Sequence, residues 1–153
     1  MTDSIFNAEQ FLDQVVEGAM DTRVVPCPEG DWQMEVKSYS ARTWKSKDGT
    51  KAGVALDLIW NVTDYTALTT AGVDELSCKQ GIMLDITPEG KLDTGKGKNI
   101  RLGRLREALG LNEKDQPFSF ALLTGRVAVG TVTHRTNDEG EVFAEVKSVA
   151  KFG

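Results

Sequence analysis

The sequence predicts a mainly β fold: five strands closing into a small Greek-key barrel of the OB type, with one helix between the third and fourth strands and another at the N-terminus. Three observations carry that prediction. Apolar and polar residues alternate with period two in five separate stretches. Two junctions between them, Ser46-Lys47-Asp48-Gly49 and Asn137-Asp138-Glu139-Gly140, carry hairpin turn signals. A helical pattern at 99–109 falls between the third and fourth stretches.

The elements follow in order. Residues 7–18 read as a short amphipathic helix, with Asn7 as N-cap, Phe11, Leu12, Val15 and Val16 as its stripe, and Gly18 as its stop. That stripe is expected to pack on the barrel, and it is also a candidate contact for self-association. Pro26 and Pro28 make 21–29 an extended connector, so residues 1–30 divide from a barrel domain at 31–153. The first strand, 31–44, sets Trp32, Met34 and Val36 against Gln33, Glu35, Lys37 and Tyr39. The second, 53–62, points Val54, Leu56, Leu58, Trp60 and Val62 one way. Residues 63–73 read as a loop. The third strand, 75–86, alternates Leu76, Cys78, Ile82, Leu84 and Ile86 with Ser77, Lys79 and Asp85. Glycines 90, 95 and 97 keep 87–98 irregular, and Leu102, Leu105 and Leu109 form the buried stripe of the following helix. Strands at 125–135 and 142–149 close the barrel. The expected core is Trp32, Leu56, Leu58, Trp60, Ile82, Leu84, Leu105, Val127 and Val146.

Charge is segregated. The chain carries −5 overall, yet residues 37–51 sum to +4 and residues 91–106 to +5, which leaves −14 for the remainder. Two basic segments on an acidic body predict a cationic groove for a nucleic-acid backbone. Lys45, Lys47, Lys51, Lys96, Lys98, Arg101 and Arg104 are the expected phosphate contacts, and Lys37 and Arg42 are further expected nucleic-acid-binding residues. Tyr39, on the polar face of the first strand, and Trp44, at the hairpin, are the expected base-stacking residues.

Several chemistries lack their residues. The single histidine, His134, has no nucleophile-elbow motif to serve. Cys27 and Cys78 lack metal-ligand spacing and read as reduced thiols. Gly95-Lys96-Gly97-Lys98 lacks the spacing of a nucleotide-hydrolysing phosphate loop, although glycine amides, lysines and a helix start can hold phosphates without chemistry. No cofactor and no enzymatic activity are therefore expected. No secretory signal and no apolar run of membrane-spanning length is visible.

The segments VPCPEGDWQMEV (25–36), WKSKDGTK (44–51), ALDLIW (55–60), QGIMLDITPEGKLDTGKGKN (80–99) and LGRLREALGL (102–111) cover roughly half the chain. Through them the chain resembles a family of small bacteriophage OB-fold single-stranded-DNA-binding proteins. The resemblance implies a non-enzymatic viral protein of DNA replication or recombination in the host cytoplasm. It implies single-stranded DNA as ligand, phage replication or recombination proteins as further partners, and no membrane association. The chain departs from bacterial single-strand binders in ending Val149-Ala150-Lys151-Phe152-Gly153 rather than in a long acidic tail. Two rival readings are a virion structural or assembly protein decorating a capsid or tail, with the N-terminal helix as docking arm, and an inhibitor of a host defence protein that uses the acidic body as a nucleic-acid mimic.

Overall fold

The computed structural model describes residues 7–22 and 24–153. Five strands form one closed sheet: β1 (Gly30–Lys45), β2 (Ala52–Val62), β3 (Ser77–Leu84), β4 (Val127–Thr136) and β5 (Val142–Lys151). They close in the order β1-β2-β3-β5-β4, with β4 returning to β1. All neighbours are antiparallel except β3 and β5, which meet in parallel with Lys79 opposite Glu145. Among the described residues three α-helices accompany the sheet, α1 (Ala8–Phe11), α2 (Tyr65–Ala71) and α3 (Ile100–Ala108), with a short 3-10 turn at Phe120–Leu123. Helix α3 lies between β3 and β4 in sequence and packs on β3 and β5, beside the thin parallel seam.

The core follows the alternation. Leu56, Leu58 and Trp60 of β2, Cys78 and Ile82 of β3, Leu102 and Leu105 of α3, and Val146 of β5 are all buried. Trp60 is fully buried, and its indole N–H donates to the Gln80 side-chain oxygen at 2.9 Å, so the one buried polar residue among those described is satisfied. Trp32 and Leu84 are only partly buried against this core. Val127 is the exception to the expected phase. Ala128, Gly130 and Val132 take the inward positions of β4, and Val127 lies on the other face. Gly130 makes room there for the Met34 thioether, which would have to shift if a Cβ were present.

Three further expectations are corrected. The N-terminal helix is a single turn, Ala8–Phe11, although Asn7 caps it as expected by accepting from the Glu9 and Gln10 amides at 3.0 and 3.1 Å. Its stripe does not pack on the barrel: Leu12 and Val15 are over 80% exposed, at 81% and 83%. A short helix that buries no apolar face gains too little to propagate. Residues 63–73, read as loop, contain α2. Asp64 caps it by accepting from the Thr66 amide at 3.0 Å, Ala67 is buried, and Gly72 ends it at φ 72°. Its threonines are weak helix formers, which conceals it in the sequence.

The third correction concerns β1. Val36 pairs with Trp60 and Ser38 with Ile59, so Lys37 is an extra residue in a β-bulge. The bulge reverses the alternation downstream. Tyr39, Ala41 and Thr43 pair with Leu58, Leu56 and Val54 and share their inner face. Ser38, Ser40, Arg42 and Trp44 share the outer face. Tyr39 is therefore not beside Arg42.

Candidate nucleic-acid interface

The outer face of β1, β2 and β3 is built by register. Across it run Trp44 and Gly53; Arg42, Ala55 and Met83; Ser40, Asp57 and Gly81; Ser38, Ile59 and Lys79. Gly53, Ala55, Gly81, Ser38 and Ser40 are the small residues of this face, and a groove runs along Ser40, Arg42, Asp57, Ile59, Lys79 and Gly81. Met83 is 50% exposed and offers an apolar contact within a cationic surface. Lys79, Ile59 and Met83 were not among the expected ligand contacts. Lys79 belongs to the polar half of a plain alternation, and only the pairing of β3 with β2 sets it beside β1.

Trp44 lies flat over Gly53. A Cβ on Gly53 would stand 2.8–2.9 Å from the indole, so only glycine permits this contact. The ring is half-buried, and its buried N–H has no acceptor among the described residues. An unpaired buried donor costs about 1–3 kcal/mol. Movement of the ring off Gly53 would expose both ring face and N–H. Arg42, in contrast, is engaged: its Nε donates to Asp57 Oδ2 at 2.9 Å and its Nη2 to Asp57 Oδ1 at 3.3 Å. That pairing raises the guanidinium's pKa, through the hydrogen bond first and the charge second.

The β1–β2 turn is held by Asp48. Its carboxylate accepts from the Ser46 hydroxyl at 2.6 Å, the Thr50 hydroxyl at 2.7 Å and the Thr50 amide at 3.0 Å. These bonds favour the charged form, and its pKa falls to about 2. The Ser46 hydroxyl also accepts from the Lys51 amide at 3.0 Å. Lys45, Lys47 and Lys51 are exposed on this fixed turn.

The second basic segment is equally ordered. Asn99 stands at φ 50° at the start of α3 and clamps the loop ends. Its side-chain amide donates to the Asp85 and Asp93 carbonyls at 2.8 and 2.7 Å and accepts from the Asp85 amide at 2.8 Å. Its own amide donates to the Asp85 carboxylate at 2.7 Å. Thr87 to Lys98 is thereby a closed loop that presents exposed Lys96 and Lys98, with Arg101 and Arg104 exposed on the helix behind. Ile86, next to the clamped Asp85, lines a shallow apolar site with Trp44, Lys45 and Gly53. The root of the loop thus adjoins the base of the hairpin.

Other charges are committed elsewhere. The Arg106 guanidinium sits 4.3 Å over the Phe118 ring and donates to the Leu111 carbonyl at 3.1 Å. Lys37 lies in the bulge, beside a cleft that contains Glu35 and Glu75. Arg104 shares a groove with Glu107, Glu113 and Lys151, facing β5 rather than the sheet face. His134 ties β4 to the connector: its backbone N–H donates to the Glu29 carboxylate at 3.0 Å, and its Nε2 lies 2.6 Å from the Cys27 carbonyl. Cys27 and Cys78 are free and buried, and burial raises their pKa values to about 11 and about 12, far from the reactive thiolate range. Among the described residues no group of three or more His, Cys, Asp or Glu could hold a metal, and no helix is long and apolar enough to cross a membrane. No protein-family model matches the chain, and no curated protein is significantly similar to it in sequence.

Proposed function

We propose that this protein binds single-stranded DNA without catalysing a reaction, through the outer face of β1–β3 and the two basic segments at its end. The barrel would be of the OB type, and the protein one of phage replication or recombination, as the motif resemblance implies. The observation that carries this reading is the placement of Trp44, Arg42 and Lys79 on one sheet face, with Lys45, Lys47 and Lys51 on the turn that ends it. Small floor residues admit a flat base, an aromatic ring can stack it, and cations at both ends can meet phosphates. Tyr39 contributes no stacking surface on this face. The strand order β1-β2-β3-β5-β4 with a helix after β3 further supports an OB-type barrel.

The test is a fluorescence titration with a labelled single strand at several salt concentrations. With about four phosphates neutralised, log K falls with log salt at a slope near about −3, from ~0.7 per phosphate. Replacing Lys96 and Lys98 with Ala flattens that slope by about 1.4 and weakens all sequences alike. Absence of binding at low salt would overturn the reading. The exposed Leu12, Val15 and Val16 favour, as second reading, a virion or assembly protein that docks through its N-terminal segment. The short α1 offers little basis for self-association.

A further inference from the structure

We infer that Asp57 is an internal competitor for strand phosphate at Arg42, and so sets how tightly the sheet face holds a single strand; this inference rests on the nucleic-acid reading above. Within the four rows from Trp44 to Lys79, Asp57 is the one carboxylate, with Arg42 and Trp44 on one side of it and Lys79 on the other; Glu35, opposite Asn61, falls in the next row beyond Lys79. Both its oxygens accept from Arg42, at 2.9 and 3.3 Å, and the two side chains are 53% (Arg42) and 35% (Asp57) exposed. An exposed ion pair of this kind adds little to stability. It cross-braces two strands already joined by a continuous backbone ladder. The fold therefore does not need it.

The ligand side of the pair is open. Gly81 stands opposite Asp57, and a Cβ there would come within 3.5 Å of Asp57 Oδ1 and 4.0 Å of Arg42 Nη2. A group resting over Gly81 therefore reaches both ends of the ion pair. A phosphate drawn to Arg42 must share the guanidinium with a carboxylate that already holds two of its N–H groups. It also stands against that carboxylate's charge. The two effects have one sign: each weakens the phosphate contact and makes Arg42 count for less than a free cation in counterion release.

Asp57→Asn tests this, because it keeps the shape and an acceptor oxygen and removes the charge. With a fluorescein-labelled oligo-dT strand, the variant should bind on the order of fivefold tighter than wild type at low salt. Its salt slope should steepen by about 0.7, so that its advantage shrinks about 2.6-fold between about 50 and about 200 mM salt. Arg42→Gln in the Asp57→Asn background should abolish the gain. Asp74→Asn, which removes the same charge at the far end of β2 and β3, should not steepen the slope. If wild type binds but Asp57→Asn binds no tighter, or more weakly at unchanged slope, Asp57 positions Arg42 and the inference is overturned while the DNA-binding reading stands. If neither protein binds at low salt, that reading falls and takes the inference with it.

Discussion

From Gly30 to Glu35, β1 pairs with β4, and β2 joins it on the other side from Met34 onward; from Ser38 to Lys45 it is paired with β2 alone. The Lys37 bulge separates the halves. Each half also lays a tryptophan over a glycine, Trp32 over Gly30 and Trp44 over Gly53. Trp32 donates its indole N–H to the Pro28 carbonyl at 2.7 Å, whereas the Trp44 N–H has no acceptor among the described residues. The first half is satisfied in the free protein, with Met34 and Val36 fully buried. The second carries an unpaired donor, an exposed ion pair and a turn of exposed lysines. One strand thus serves as a barrel stave and then forms part of the proposed binding face, and one inserted residue marks the change.

The largest expected effect breaks the first half. Met34→Ala removes a fully buried side chain packed on Gly130 and should cost about 2–5 kcal/mol, read as a fall in the denaturation midpoint. A midpoint close to wild type would mean that the two halves do not differ in structural weight. Trp44→Ala addresses the second half. Strand binding should weaken by about 1–3 kcal/mol with the salt slope unchanged, because stacking releases no counterions. A flattened slope in that titration would count against stacking. A subtler variant is Gly53→Ala. Its Cβ would displace the Trp44 ring and shift its indole resonance, leaving those of Trp32 and Trp60 in place. The smallest effect is at the turn. The Asp48 pKa is depressed from 3.8 to about 2, so its contribution to the folded hairpin is complete above about 4 and lost as pH falls through about 2. An NMR pH titration should find the Ser46 and Thr50 signals unchanged from neutral pH to about 3. A transition near 4 would show that the turn's hydrogen bonds do not hold the carboxylate.

Much of the fold was legible because the strands here bury one face. Period-two alternation located all five, and Asp48-Gly49 and Gly140 marked the hairpins. The helix at 100–108 was legible from its leucines and Gly110. The helix at 65–71 was hidden by its threonines, and the N-terminal stripe misled because amphipathic spacing states what a helix could bury, not whether a surface is there to receive it. Among the candidate site residues, Trp44 and the hairpin lysines stand at one end of the sheet face, whereas Tyr39 does not share it. Lys79 joins the face only through the register of β3.

By itself the sequence determined the number and order of strands, the turns, and the two basic segments on an acidic chain, because each follows from local spacing, turn chemistry or composition. The tertiary structure alone decided which residues share a face. Side-chain direction in a strand depends on the parity of every residue before it, and the bulge at Lys37 changes that parity without altering the pattern that precedes it. Pairing across β2 then placed Asp57 against Arg42 and Gly53 beneath Trp44, contacts between residues 15 and 9 positions apart that no local spacing encodes.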